Sequence, residues 1–282
     1  MRNRYVFGAC CVALLLANGV AAEPSEEELA KRSQNPVANM ISVPFENSLH
    51  FDVGPTDKLA NVLTIKPVIP VSLGKFNLIN RFIAPVIWLE GQDRVTAGRG
   101  GEDFGFGEVF PGTSSEFGLG NLTYQGFFSP AEPGPVIWGV GPTLVLPTNT
   151  DDKLGSDTWS AGISTLVLAM PGKWVVGALV QNTWSFAKHG DAPDQNSFLV
   201  QPIMNYNMSN GWYLSSTPVI TANWEADSGD KWTVPVGGGV GRLLRMGNQP
   251  IDLRLAAFYN VERPALGPRW TAQFTVKLLF PK

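Results

Sequence analysis

The chain has 282 residues with 21 basic and 24 acidic side chains, a formal charge of −3 and 44% hydrophobic residues. The acidic excess argues against a nucleic-acid partner, because nucleic-acid-binding proteins carry basic patches. No stretch after residue 22 approaches the ~18 uninterrupted apolar residues of a membrane-spanning helix, so the composition excludes a helical membrane protein.

The first 22 residues have the three parts of a secretory signal peptide. MRNR is basic, YVFGACCVALLLA is apolar but too short to span a bilayer, and the small residues before Glu23 predict cleavage after Ala22. An uncleaved anchor is the alternative. Cleavage removes Cys10 and Cys11, the two cysteines of the chain, so the exported protein is predicted to fold without a disulfide.

Residues 23–45 are predicted to form a short helix followed by an extended lead-in. Ser25 and Glu28 have the spacing of a capping box, and the helix should end before Pro36. Two locations remain open for this segment. It lies in the periplasm beneath the main domain, or it enters that domain as a plug.

Residues 46–282 lose all helical signals and alternate between apolar and polar residues, with Gly, Pro, Asn and Asp between the alternating segments. The last segment shows the pattern most clearly. Its apolar row is Trp270, Ala272, Phe274, Val276, Leu278 and Phe280, and its second row is Thr271, Gln273, Thr275, Lys277 and Leu279. Twelve such segments are predicted: 46–53, 59–72, 76–88, 117–128, 135–147, 159–170, 173–186, 197–208, 211–225, 231–244, 250–262 and 270–280.

This pattern predicts an all-β fold, a transmembrane up-and-down antiparallel β-barrel of about 12 strands with a short N-terminal helical segment. Short and longer connections alternate after the first hairpin, as they do in barrels with periplasmic turns and external loops. Prolines within the segments predict bulges or bends, because proline lacks an N–H for the ladder. These prolines are Pro67, Pro85, Pro142, Pro202, Pro218 and Pro235.

The nine tryptophans fall near segment ends on the apolar row, which predicts two aromatic girdles at the membrane interfaces. The external girdle comprises Trp88, Trp159, Trp184, Trp224, Trp232 and Trp270, and the periplasmic girdle comprises Trp138, Trp174 and Trp212.

The opposite row is polar and is predicted to line the lumen, because charges that face lipid near the midplane cost about 2–4 kcal/mol each. The predicted lumen-lining residues are Lys66, Arg81, Gln181, Gln201, Asn205, Glu225, Asp252, Arg254, Glu262 and Lys277. Both signs of charge are present. This mixture fits an open polar pore and equally fits an ion-pair network that fills a narrow lumen.

Signals for catalysis or cofactor binding are weak. Ser48, His50 and Asp52 share one strand face, but residues two apart on a strand do not by themselves form a catalytic triad. A membrane-embedded lipase is the enzyme alternative. No phosphate-binding Gly-Lys-Ser/Thr sequence and no EF-hand spacing occurs. The prediction is a protein without enzymatic activity, metal or cofactor.

Four stretches resemble one bacterial family: QNPVANMISVPFEN, LPTNTDDKLGSDTWSAG, LVQNTWSFA and GWYLSSTPVITANWEADSGDKWTVPVGGGVGRLLR. They are similar to transporter-like outer-membrane β-barrels grouped with the meta-pathway phenol-degradation proteins. The resemblance covers most of the exported chain. It implies a barrel that passes small organic molecules and has no catalytic residues.

Together these features predict a monomer in the outer membrane of a Gram-negative bacterium that acts as a passive channel for small solutes, aromatic or hydrophobic ones included. Its partners would be outer-membrane lipids, lipopolysaccharide, a small-molecule solute and the barrel-assembly machinery. Two alternatives remain open. One is a plugged structural or binding barrel without conductance, and the other is a secreted soluble β protein.

Overall fold

A computed structural model of the chain describes residues 25–54, 56–91, 115–190 and 192–281. The expected signal peptide and most of the loop between residues 89 and 115 lie outside the described residues. One helix, α1 (Glu26–Ser33), precedes the strands. The strands are β1 (Ile41–Val53), β2 (Lys58–Ile65), β3 (Val68–Ser72), β4 (Phe76–Leu89), β5 (Glu116–Leu119), β6 (Leu122–Pro130), β7 (Val136–Leu146), β8 (Thr158–Ala169), β9 (Trp174–Lys188), β10 (Asn196–Asn207), β11 (Trp212–Ser216), β12 (Ile220–Asn223), β13 (Trp232–Met246), β14 (Gln249–Glu262) and β15 (Trp270–Phe280).

The strands close into an antiparallel barrel. Each pairs with its neighbours along the chain, and β15 pairs with β1 to complete the circle. Three crossings are interrupted: β2 continues as β3, β5 as β6, and β11 as β12, each pair sharing a neighbouring strand. The fifteen described strands therefore make twelve crossings. The predicted fold class is confirmed.

Prolines account for part of this irregularity. Pro67 follows the end of β2, Pro218 separates β11 from β12, and Pro235 stands at the register shift between β13 and β14. Pro85 and Pro142 instead stay in continuous strands, paired with Thr64 and Ile163. Pro202 does the same opposite Ala178. Each of these three nevertheless faces a gap in the ladder on its other side: Pro85 lies opposite the break between β5 and β6, Pro142 lies in a gap of the β6–β7 pairing, and Pro202 lies opposite the break between β11 and β12. All six prolines therefore lie at irregularities of the sheet, as expected for a residue without an N–H.

The two ends of the barrel differ in their connections. Tight turns join strands at the end that also holds Ile41 and Phe280, where the barrel begins and closes. Gly74 and Gly172 adopt φ values of 78° and 53° in two of these turns, a conformation that residues with a side chain rarely adopt. Longer loops join strands at the opposite end. An even number of crossings places both ends of the barrel chain on the short-turn side, the periplasmic side in such proteins.

The first strand begins at Ile41 rather than at residue 46, and its pairing with β15 starts there. The lead-in to the barrel is therefore shorter than the sequence suggests. Among the described residues, the one helix is too short and too polar to cross a bilayer.

The outer face of the barrel is apolar. Phe274 and Tyr259 are 48% and 39% exposed, and Val276 is half-buried beside its strand neighbours. Trp88 is partly buried. The other eight tryptophans are exposed: Trp138, Trp159, Trp174, Trp184, Trp212, Trp224, Trp232 and Trp270. Aromatic contacts link some of them at one rim, with Trp224 and Trp232 rings 5.4 Å apart. This surface suits the hydrocarbon and interface layers of a bilayer.

Arginine on this face should destabilise the barrel according to its depth. Ile163 lies in the middle of β8 and is 52% exposed, whereas Val261 lies at the rim of β14 and is 58% exposed. We expect Ile163→Arg to lower the free energy of unfolding by about 2–4 kcal/mol and Val261→Arg by about 0–1 kcal/mol. Guanidinium unfolding in lipid vesicles measures both. Equal losses would contradict a lipid-facing surface.

Candidate functional site

The helix α1 is packed against the barrel wall at the short-turn end. Ser25 caps it, its hydroxyl accepting a hydrogen bond from the Glu28 N–H at 3.1 Å. The helix ends at Ser33, before Pro36, as the sequence predicts. Leu29 and Ala30 are almost completely buried. Their apolar neighbours are Met40, Leu243 and Leu279. Leu279, on the polar row of β15, is buried by this packing rather than exposed to a water-filled lumen.

Polar contacts fix the end of the helix to the lumen wall. Ser33 Oγ donates to Asp252 Oδ2 at 2.9 Å, and Lys277 Nζ donates to the Ser33 carbonyl at 2.8 Å. Gln34 and Asn207 exchange two amide hydrogen bonds of 2.9 and 3.1 Å. Side chains from β10, β14 and β15 therefore hold the segment inside the barrel circumference.

A second apolar cluster receives the residues after the helix. Val37 is buried in it, and the other buried members are Ile79, Phe127, Leu166, Leu168, Val175, Leu179 and Ile203. Several of these side chains point inward from β4 and β6 to β10, where the alternation predicts a polar row. That expectation is wrong for this part of the wall. The apolar inner surface exists because the N-terminal segment packs against it, which the strand pattern does not reveal.

The loop between β7 and β8 folds over the opposite mouth. Leu154 is fully buried in an apolar cluster with Val53, Ala60, Val62, Ile87 and Leu89. Lys153 forms an ion pair with Glu116, and the hydrogen bond to that carboxylate raises the pKa of Lys153. The loop thereby narrows the lumen at its external end.

Two cavities lie inside the barrel between these covers. The loop-side cavity, about 190 Å³, extends towards the external mouth and is lined by Ser156 and Gln195 among others. The helix-side cavity, about 170 Å³, adjoins the N-terminal segment at Ser33 and Gln34. Four residues line both cavities, and we call them the junction: Glu46, Lys66, Arg81 and Gln201.

Glu46 is held between two cations at the junction. Its Oε1 accepts from Lys66 Nζ at 2.5 Å and its Oε2 accepts from Arg254 Nη2 at 2.9 Å. Arg254 also donates to Thr217 Oγ1 at 2.7 Å and to Gln273 Oε1 at 2.9 Å. These bonds connect β1, β14 and β15 with two of the three interrupted crossings, β2–β3 through Lys66 and β11–β12 through Thr217. Glu46 is therefore fully engaged by the lumen wall.

Arg81 differs from the other cations. Its guanidinium lies over the Phe127 ring, 5.8 Å from the centroid, and its Nη1 is buried without a hydrogen-bond partner. Within the described ranges, no carboxylate is paired with it. A buried guanidinium donor without an acceptor is costly. Arg81 therefore lines both cavities with a guanidinium that keeps one buried, unused donor.

The wall from β6 to β9 is neutral at this level. Gln125 Nε2 donates to Gln181 Oε1 at 2.6 Å, and Ser164 Oγ donates to the same oxygen at 3.0 Å. Thr143 and Ser164 hydroxyls lie 2.5 Å apart. The lumen therefore has a charged side, formed by β14, β15 and β1 to β4, and a neutral side of amides and hydroxyls.

Eight of the ten predicted lumen-lining residues line one or both cavities: Lys66, Arg81, Gln181, Gln201, Asn205, Asp252, Arg254 and Lys277. The other two, Glu225 and Glu262, are exposed and line neither cavity. Glu225 follows the end of β12 in a turn. The register shift opposite Val234 and Pro235 takes Glu262 out of phase with the inner row of β14.

The residues missed by the strand pattern are Glu46, Gln125 and the Ser33–Gln34 pair. Glu46 shares the inner row of β1 with Ser48, so the alternation of side chains along the strand could have predicted its position.

His50, on the same row, has its Nδ1 3.0 Å from Thr271 Oγ1. Asp52, in a left-handed conformation with φ of 57°, lies near Arg269 instead. The Ser–His–Asp arrangement is not formed.

The described residues contain no group of three His, Cys, Asp or Glu side chains suited to a metal ion. Acidic side chains in the described loops, such as Asp151 and Asp194, bind neighbouring groups: Asp151 accepts from the Lys153 N–H at 2.9 Å, and Asp194 pairs with Lys188 at the end of β9 at 3.0 Å.

No family model and no curated protein matches the chain. Among solved structures, an outer-membrane channel from Pseudomonas putida F1 aligns with a TM-score of 0.62 at 16% identity, covering 86% of this chain and 94% of that one. The toluene transporter TodX of P. putida covers 90% of this chain and 92% of that one at 9% identity, but its TM-score of 0.44 is too low to bear on the fold. The chain thus has the fold of that outer-membrane channel, in agreement with the architecture expected from sequence.

The Asp252 network gives a stability prediction with a matched control. Tyr213 Oη donates to the Asp252 carboxylate at 2.7 Å, whereas Tyr124 Oη donates to the neutral Asn80 amide at 2.9 Å. Bonds to charged groups are stronger. We expect Tyr213→Phe to lower the free energy of unfolding by about 1.5–3 kcal/mol and Tyr124→Phe by about 0.5–1.5 kcal/mol. Unfolding in lipid vesicles measures both losses. A larger loss of stability for Tyr124→Phe would contradict the assignment of the Tyr213–Asp252 hydrogen bond as charge-assisted.

Proposed function

We propose that this chain is a monomeric outer-membrane channel through which small solutes pass passively. The observation that carries the proposal is the pair of cavities, one towards each mouth of the barrel, which meet at the junction. Two compartments that share lining residues form a stepwise route along the barrel axis. In this role the chain contacts lipid and lipopolysaccharide, is inserted by the barrel-assembly machinery, and performs no chemistry.

The size of the cavities favours small solutes, aromatic and hydrophobic ones included. At about 190 and 170 Å³, each is comparable to a cavity of roughly 150 Å³ that accommodates benzene in another protein. Apolar residues such as Val62, Ile83 and Leu199 line the loop-side cavity beside polar ones. A single-ring molecule fits this mixture better than a sugar chain or a long acyl chain.

The N-terminal segment, residues 23–45 in the sequence-based division and residues up to 40 by the start of β1, acts as a plug in this proposal. Leu29 and Ala30 pack on one inner apolar cluster and Val37 on another. Passage from the helix-side cavity to the periplasm requires this segment to shift. Its polar anchors, chiefly Ser33 with Asp252 and Gln34 with Asn207, are few enough to break and re-form.

The second candidate is a structural or binding barrel that never conducts. The complete burial of Leu29 and the fixed position of Ser33 between Asp252 and Lys277 favour it. It shares every feature of the fold with the channel. The two candidates differ only in whether the N-terminal segment moves away from the inner wall of the barrel.

A disulfide between the segment and the wall separates them. A Cβ at Gly139 would lie 3.2 Å from Val37 Cγ1, within the reach of a disulfide once a cysteine sulfur takes the place of Cγ1. Chain expressed from residue 23 contains no other cysteine. For Val37→Cys/Gly139→Cys in planar bilayers, we expect conductance to be at least tenfold lower when oxidised than when reduced.

The controls are the two single cysteine variants and the unmodified chain, whose conductance should not respond to reductant. Equal conductance in the oxidised and reduced states would show that solutes pass without movement of the segment, which removes the plug from the proposal. Barrels that insert and fold but conduct in neither state would contradict the channel and support the non-conducting barrel.

A further inference from the structure

We propose that the junction is a binding site for the carboxylate of a small organic anion whose body is an apolar ring. This inference rests on the proposed channel and names the class of solute that the channel selects. The group that would bind the carboxylate first is Arg81, with Lys66 and Arg254 beside it.

The charge balance around the helix-side cavity is positive. Arg32 lines it but is paired with Glu28 on its own helix. The remaining charged lining residues are the four cations Lys66, Arg81, Arg254 and Lys277 and the two anions Glu46 and Asp252, a net charge of +2. A narrow lumen with low-dielectric walls focuses such an excess into a potential that attracts anions.

Both anions are already satisfied by the protein. Glu46 accepts from Lys66 and Arg254. Asp252 accepts from Tyr213 and Ser33, and lies 3.8 Å from Lys277. Neither carboxylate is available to neutralise Arg81. The excess positive charge is therefore concentrated where the two cavities meet.

The setting of Arg81 suits a carboxylate. Guanidinium donors form a planar fork that matches two carboxylate oxygens. The guanidinium lies over the Phe127 ring, 5.8 Å from the centroid, in a cation–π contact. Its buried Nη1 lacks an acceptor in the described part of the chain. A bound carboxylate would supply that acceptor. The cost of leaving the donor unpaired would thereby be relieved on binding.

The surroundings select an apolar body rather than an inorganic anion. Ile83 and Leu179 are apolar residues that line the loop-side cavity. Ile83 lies on the inner row of β4 next to Arg81, and Leu179 lies on the inner row of β9 next to Gln181. Phosphate would gain from the cations but not from these aliphatic walls. A single aromatic ring with one carboxylate uses both features, because burial of its ring against these walls is favourable.

Benzoate and its neutral analogue benzyl alcohol test the site directly. Isothermal titration of the detergent-solubilised chain from residue 23 should show benzoate binding at least tenfold tighter than benzyl alcohol, as charge-assisted hydrogen bonds imply. Arg81→Gln should remove this preference and Glu46→Gln should increase it. Lys188→Gln, at the external end of β9 and in neither cavity lining, should leave it unchanged. Opposite shifts in two variants cannot both result from misfolding.

Planar bilayers provide the second readout, under a KCl gradient. The ratio of Cl⁻ to K⁺ permeability should exceed one in the unmodified chain, fall in Arg81→Gln and rise in Glu46→Gln. Equal binding of benzoate and benzyl alcohol, or a preference that survives Arg81→Gln, overturns the inference while leaving the channel intact. Selective benzoate binding by a barrel that does not conduct supports the inference and overturns the channel.

Discussion

The hydrogen-bond ladder between β1 and β15 is the constraint on which the rest of the structure depends. In hydrocarbon, no water satisfies an exposed strand edge, so a sheet that crosses a bilayer must close on itself. Here the ladder runs from the pair of Ile41 and Phe280 to that of Phe51 and Trp270. Closure fixes which side chains point outward. The outer row must then be apolar, while the inner row is free to carry charge at lower cost.

The side chains of the wall do not fill the lumen of the barrel. Two segments of the chain, one at each end, occupy part of the remaining volume. The N-terminal segment covers the short-turn end through apolar packing around Leu29 and Val37. The β7–β8 loop covers the other end through Leu154. Between them lies the region where the two cavities meet Glu46 and Arg81. A charged middle between two apolar covers suits a solute that is itself amphipathic.

Much of this arrangement follows from sequence alone, and the exceptions have identifiable causes. Alternation in WTAQFTVKLLF specifies the outward row because lipid tolerates few charges. Parity does not reveal Phe127 as an inward residue packed with Val37, because that contact joins residues distant in sequence. A register shift at Pro235 displaces Glu262 from the lumen, and bulges are not readable from composition. The unpaired state of Arg81 requires the positions of every neighbouring carboxylate.

The direct test of the central claim is where the tryptophans lie relative to lipid. Reconstituted protein would be measured for fluorescence quenching by phospholipids brominated at different depths along the acyl chain. Trp159 and Trp174 lie at the beginnings of two antiparallel strands and therefore near opposite ends of the barrel, both on the outer face. The account predicts strong quenching, greatest for bromines nearest the headgroups. Fluorescence that is insensitive to bromine at every depth would contradict it, because the tryptophan face would then be turned away from the membrane.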